Sequence, residues 1–336
     1  MDNFIQTFSC TCENVCDKSN HILQVHLRDI LSNKLQPAFK RNALHHPALK
    51  RPSRYARDDE LHEQQAWKSD HHVDILYWII KKADPLKLEE NLNLLIPPVL
   101  IVLDDYDIQY RTKGVSLVHV MITRMNSAGI IKNNLDNVFL ESLFNCLYYL
   151  TQDRDAPLVE ATYPCIIDLI AYTKQGQSRC DLYERVMTEG ILTGLLHAGE
   201  KIRFLPILLQ PIPRLFEELG ASSVQYLKGI IPSLCQSLST VPYNDSLEMR
   251  RINKLAAHGL IAVIRECWPR ISTYEGIIMS SVAKCWSYYF DKQDREMLEL
   301  QRQLYKVFEA ACQGAEEADK EALLKYRPNV FEPLFA

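Results

Sequence analysis

Apolar residues recur along most of this chain at intervals of three and four, the spacing of one helix face. VDILYWIIKKAD, from Val73, sets Ile75, Trp78 and Ile79 on one face. Lys81 and Lys82 follow near the end, where cations favour the helix dipole. A helix reaching the Leu94 to Ile96 region comes next. Pro97-Pro98 predicts the start of another, because proline is tolerated in a first turn, where the missing N–H had no partner. Asp104, Asp105 and Asp107 then break the pattern, and Asp suits both a turn and a helix N-terminus. The following helix is expected from about Gln109 to Arg124, with Val115, Val118, Ile122 and Met125 as its stripe. Later segments read alike: Leu135 to Leu150 (Val138, Leu143, Leu147 and Leu150 on one side), Ala156 to Thr173, Asp181 to Met187 and Ile191 to His197. Ile202 to Leu219, Val224 to Leu238, Ser272 to Phe290 and Gln293 to Cys312 complete the series. GQSR at 176–179 reads as a turn, and Gly220 as a helix stop.

One phrase occurs twice. Ile96-Pro97, Leu100 and Leu103 match Ile231-Pro232, Cys235 and Leu238. After an Asp-bearing turn, Arg111, Gly114, Leu117 and Val120 match Lys254, Ala257, Leu260 and Val263. Repeated helical hairpins of about 40 to 47 residues mark HEAT and armadillo arrays. The expected fold is therefore all-α, a HEAT/armadillo-like alpha-solenoid of antiparallel helical hairpins over residues 65–312.

The ends read differently. Residues 1–60 hold one expected amphipathic helix, His21 to Leu35, with Ile22, Val25, Leu27, Ile30 and Leu31 on or near one face. A proline-broken basic stretch, KRNALHHPALKRPSRYAR at 40–57, follows and reads as a linker or docking segment. Residues 313–336 read as an acidic tail in which EEADKEALLKY adds a short helix and RPNVFEPLFA trails off.

Composition narrows the classes. Only 11 glycines occur in 336 residues, which disfavours phosphate-cradling and barrel folds. The formal net charge of -4 gives no field that attracts nucleic acid, and the one basic stretch has a single aromatic, Tyr55. No apolar run is long enough to span a bilayer. The N-terminus lacks the basic and apolar regions of a secretory signal, so an intracellular setting, cytoplasmic and nuclear, is expected.

Candidate chemistry is sparse. No P-loop, G-x-S-x-G, H-E-x-x-H or C-x-x-C motif is present. Cys10, Cys12 and Cys16 lie near His21 and His26, but their spacing is unlike common zinc sites, and incidental thiols are the favoured reading. Cys146, Cys165, Cys180, Cys235, Cys267, Cys285 and Cys312 read as buried, reduced thiols. His45-His46 and His71-His72 read as solvated loop residues, and His119, His197 and His258 as packed ones. The expectation is a protein with no catalytic site, no metal and no cofactor.

Several phrases, in order, carry a family likeness. Trp67-Lys68 precedes a helix ending Leu76-Tyr77-Trp78-Ile79. The stretch Leu95-Ile96-Pro97-Pro98-Val99-Leu100-Ile101-Val102-Leu103-Asp104-Asp105 leads to Tyr110-Arg111-Thr112-Lys113-Gly114. Then come Glu189-Gly190-Ile191-Leu192-Thr193-Gly194 with His197-Ala198, Glu217-Glu218-Leu219-Gly220, Tyr226-Leu227-Lys228 with Ile231-Pro232, and Cys267-Trp268-Pro269-Arg270-Ile271. Over about residues 65 to 290 the chain resembles the Tel-two-interacting protein two family, the smallest subunit of the TTT co-chaperone complex. The resemblance implies an alpha-solenoid that binds the other two TTT subunits, chiefly the large HEAT-repeat one. It implies a role, through that complex and the Hsp-ninety machinery, in stabilising phosphatidylinositol-3-kinase-related kinases in DNA-damage, telomere and TOR signalling. Charge and hydropathy give the expectation of no nucleic-acid and no membrane partner, and the resemblance offers no catalytic residue. Trp67, Pro97, Pro98, Asp104, Asp105, Arg111, Gly114, Gly190, His197, Trp268, Pro269 and Arg270 are its structural or interface positions. Of these, Asp105, Arg111 and the Trp268-Pro269-Arg270 turn are expected to fix hairpin geometry. Another helical-repeat adaptor, such as a transport carrier or phosphatase scaffold, is the alternative.

Overall fold

The computed structural model describes Phe8, Cys12 and residues 18–39, 66–69, 71–240, 246–312, 314 and 316–336. The basic stretch at 40–57, His45-His46, Cys10 and Cys16 lie outside the described residues. Among those described, every regular element is helical. They divide into two compact units, Met1–Cys146 with Pro164–Lys174, and Leu147–Tyr163 with Gln175–Ala336.

The first unit opens with α1 (Lys18–Val25) and α2 (Leu27–Ile30); α2 runs through a π-helical stretch, Leu31–Leu35, into α3 (Gln36–Phe39). The single helix expected from His21 to Leu35 is thus broken at His26 (φ -107°, ψ 6°). Val25, expected on the apolar face, is exposed, whereas Leu27, Leu31, Leu35 and Phe39 are buried. These four residues are spaced by four. The wider π turn holds that spacing on one side better than 3.6 residues per turn would.

α4 (His72–Lys82) follows, then α5 (Pro85–Glu90), α6 (Leu92–Leu103) and α7 (Ile108–Arg124). His71 and His72 are not loop residues as a pair: His72 is buried in α4, with Nδ1 2.7 Å from the Ser69 carbonyl. Pro97 and Pro98 do not start a helix; they lie inside α6. The carbonyls they leave unserved, four residues earlier, are those of Asn93 and Leu94 in the first turn. Burial of Leu95, Pro98, Val99, Val102 and Leu103 carries the helix past them. The α7 stripe is as expected, with Val115, Val118, Ile122 and Met125 all buried. α8 (Ser127–Lys132), α9 (Leu135–Leu147) and the C-terminal half of α10 (Ala156–Thr173) complete the unit. Val138, expected on the apolar side of α9, is exposed.

In the second unit, α11 (Gly176–Arg185) runs through a π-helical stretch, Val186–Leu192, into α12 (Thr193–Ala198). The expected GQSR turn is therefore the first turn of a helix. Its Gln177 reaches Asp181 at 2.7 Å, its Arg179 pairs with Glu218, and Tyr183 anchors it in the core. The expected Ile202 to Leu219 helix is divided into α13 (Leu205–Leu209) and α14 (Ile212–Leu219) at Gln210-Pro211. Gly220 ends α14 at φ 51° as expected. α15 (Leu227–Ser239), α16 (Leu247–Ile271), α17 (Glu275–Lys292) and α18 (Arg295–Cys312) pack together. The tail does not trail off. After α19 (Glu317–Tyr326), RPNVFEPLFA forms α20 (Pro328–Phe335) and buries Val330, Phe331 and Leu334. Trp286 Nε1 donates to the Val330 carbonyl at 2.6 Å, and Arg302 Nε to the Pro333 carbonyl at 2.8 Å. An isolated reading of ten residues could not register those two partners.

The twice-used phrase folds the same way both times. α6 packs on α7, and α15 packs on α16, with Pro232 inside α15 as Pro97 is inside α6. In each hairpin a side chain of the second helix serves the carbonyl end of the first, where four acceptors lack intrahelical partners. Arg111 Nη2 donates to the Asp104 carbonyl at 3.2 Å. Asn253 Nδ2 lies 2.7, 3.2 and 3.1 Å from the carbonyls of Ser237, Leu238 and Thr240.

Candidate interaction site

The connection between α6 and α7 gathers most of the first unit's singled-out residues around Lys68. The Lys68 ammonium meets Asp105 Oδ1 at 2.8 Å, and both side chains are largely buried. Three rings surround the same ammonium: Tyr106 at 4.5 Å, Tyr110 at 4.7 Å and Trp67 at 5.2 Å from their centroids. The negative faces of aromatic rings attract a cation most strongly when water is excluded. Trp67 is itself buried, stacked on Phe39 at 5.5 Å and edge-on to Tyr110 at 5.1 Å. Tyr110 closes the ring by donating to the Lys68 carbonyl at 3.2 Å.

The acidic loop is tied from both ends. Asp105 Oδ1 also accepts from the Asp107 N–H at 2.8 Å, and Asp107 caps α7 by accepting from the Gln109 N–H at 2.9 Å. Asp104 accepts from the Ser142 hydroxyl at 3.2 Å. Behind the loop the α6 and α7 backbones touch. A Cβ on Gly114 would sit 2.5 Å from Leu103 Cα, closer than real contacts allow, so only glycine fits there. Asp104, Asp105, Arg111 and Gly114 thus all lie at the α6–α7 connection, with Trp67 packed against Tyr110 of α7.

The second unit's positions separate. Gly190 is buried in the π stretch, where a Cβ would approach the Tyr163 hydroxyl and Leu147 at 3.2 Å. His197 and His258 are exposed on their helices, not packed as expected. Trp268-Pro269-Arg270 is not a turn. It lies at the end of α16, past a break at Cys267 (φ -119°, ψ 22°), as befits a helix that meets a proline. All three residues are exposed, Trp268 by 53%, so this segment presents surface and does not set a hairpin.

Several groups of acid–base or nucleophilic type have partners within the fold. His119 Nε2 lies 2.8 Å from Asp168 Oδ2, and Cys165 is one turn before Asp168 on α10. The Cys165 thiol is fully buried, faces the Val115 carbonyl at 3.8 Å, and is pushed well up, first by burial and then by Asp168. Burial likewise pushes Cys235 up to about 11 and Cys312 up to about 12. At neutral pH these are thiols, not nucleophilic thiolates. Cys146, Cys267 and Cys285 are buried too, while Cys180 is half-buried. A shallow, mostly apolar groove of about 550 Å³ lies between α17 and the α19–α20 pair, lined by Met279, Ala283, Leu323, Tyr326 and Phe331. Cys12, His21 and His26 bring metal-ligand atoms within 4.8 Å of one another. No helix of the described residues is long and apolar enough to cross a membrane.

The described residues define an all-helical protein of paired helices. Residues 2–243 match the model of the Tti2 family, and the chain belongs to that family. It is similar to TELO2-interacting protein 2 of Mus musculus, 23% identical over 227 residues, which is 66% of this chain and 43% of that protein. The Rattus norvegicus and Homo sapiens proteins of the same name are 22% and 20% identical over 228 and 234 residues, with the same shares covered. The matched part of this chain thus spans under half the length of those relatives. No solved structure matches it. Sequence reasoning named Asp105 but missed Lys68 as its partner. The signal available was Tyr106 and Tyr110 at helical spacing with Trp67-Lys68 upstream, which does not by itself specify a contact.

Proposed function

We propose that this chain is a non-catalytic scaffold subunit of the TTT complex, acting through protein–protein contact in cytoplasm and nucleus. In this reading its hairpins stack as a HEAT/armadillo-like solenoid. It binds the other two subunits, chiefly the large HEAT-repeat one. Through them it helps the Hsp-ninety system stabilise phosphatidylinositol-3-kinase-related kinases in DNA-damage, telomere and TOR signalling. The observation that carries the reading is membership of the Tti2 family, whose mammalian members are named for interaction with TELO2. The exposed Trp268 supports it, since tryptophan is enriched among residues that dominate interface energetics. The buried thiols argue for structure over catalysis. The test is purification of the tagged full chain from cells in moderate salt, with identification of what stays bound. Co-elution of the large HEAT-repeat subunit and TELO2 supports the proposal. Their absence, with a transport cargo or a phosphatase bound instead, refutes it.

A further inference from the structure

We propose that Cys12, His21 and His26 form a zinc(II) site that staples the chain around Cys12 to the bend between α1 and α2. The three ligand atoms come from three chain positions yet lie within 4.8 Å of one another. The Cys12–His26 edge is that expected around a tetrahedral ion. With Zn–S of about 2.3 Å and Zn–N of about 2.05 Å, a sulfur–nitrogen edge is about 3.6 Å. Cys12 Sγ lies 3.5 Å from His26 Nε2. Two imidazoles bound through nitrogen to one such ion have ring centroids about 5 Å apart. His21 and His26 have centroids 5.2 Å apart, their planes turned by 69°.

The surroundings fit as well. A ligating histidine commonly directs its other nitrogen at a carboxylate, which fixes the ring and raises its basicity. His26 turns Nε2 to Cys12, while its Nδ1 lies 3.9 Å from Asp29 Oδ2. The Phe8 ring, 5.4 Å from the His26 ring, shields one side. One metal ion would engage Cys12, His21 and His26 together. The site also gives the His26 break a purpose: a continuous helix would hold residues 21 and 26 about 140° apart around its axis. Zinc binding releases the thiol proton of Cys12 as the thiolate–metal bond forms, and the fourth position takes water.

The test uses the full chain, stripped with chelator and titrated with cobalt(II), a spectroscopic stand-in for zinc. Thiolate-to-cobalt charge-transfer and tetrahedral ligand-field bands should saturate at one equivalent, and zinc should displace the cobalt. Cys12→Ser, His21→Ala and His26→Ala should each abolish the bands, and Asp29→Asn should weaken binding by about tenfold or more. Circular dichroism verifies that each variant keeps its helices. If one does not, the stripped wild-type chain decides, through band formation and proton release on titration. Absence of bands in the wild type overturns the proposal. So do bands that survive His21→Ala and His26→Ala but vanish with Cys10→Ser and Cys16→Ser, which would mark a thiol-only site.

Discussion

The Lys68–Asp105 pair offers the sharpest test of how the α6–α7 hairpin is held. At 2.8 Å, and with an effective dielectric of about 20, the Coulomb attraction is about 6 kcal/mol. Desolvating both ions offsets most of that, so the pair as a whole adds little. Removing one partner is different. Asp105→Ala strands the ammonium in its aromatic box and costs about 3 to 5 kcal/mol. It also removes the acceptor of the Asp107 N–H, worth about 1 kcal/mol. Lys68→Met keeps the aromatic packing and leaves Asp105 that N–H, so about 2 kcal/mol is expected. In the double variant the losses should not add; the coupling should be about 2 kcal/mol, as for groups in direct contact. The assay is urea unfolding of the four proteins, read as transition midpoints with unchanged slopes. Coupling under about 0.5 kcal/mol would mean the pair behaves as an exposed ion pair, and the clasp argument would fail.

Three other perturbations follow from the structure. Gly114→Ala drives a methyl group into the Leu103 backbone and should cost about 3 kcal/mol in chemical denaturation; a loss below about 1 kcal/mol would show that the helices have room to separate. Gln301 is buried in α18 with neither amide atom hydrogen-bonded among the described residues, so Gln301→Met should raise the unfolding midpoint by about 1 to 2 kcal/mol equivalent; a loss of stability would contradict this. Hydrogen bonds from Arg250 hold Asp294 below its ordinary 3.8, and hydrogen bonds from Lys254 and Arg250 hold Glu296 below its ordinary 4.5. Both carboxyls therefore stabilise the fold above their unfolded values and lose that contribution as pH falls through their folded ones. The gap between wild type and Arg250→Met should be flat above about pH 5 and narrow on further acidification; a gap that widens there would reverse the sign.

How much was legible in the sequence depended on whether the deciding signal was local. The Ala156–Thr173 helix and the Val115, Val118, Ile122 and Met125 stripe are set by period and short-range capping, and the structure has them as expected. Pro97-Pro98 failed as a boundary because four buried neighbours in α6, Leu95, Val99, Val102 and Leu103, outweigh two missing N–H groups. RPNVFEPLFA failed as a loose end because its partners, Trp286 and Arg302, are 44 and 31 residues away in sequence. The turn at Asp104, Asp105 and Asp107 was legible because Asp-bearing turns carry their own chemistry. The exposure of Trp268-Pro269-Arg270 was not, because the same proline signal serves for a turn and for a bend within a helix.

Exposure of Trp268 at a helix end bears directly on the central claim that this chain works by contact. The decisive measurement is the affinity of the purified full chain for purified TELO2 and large HEAT-repeat subunits, wild type beside Trp268→Ala. Equal melting temperatures with binding weakened at least about tenfold, as for a buried interface tryptophan, are the result the account predicts. A wild-type chain that binds neither subunit would contradict it.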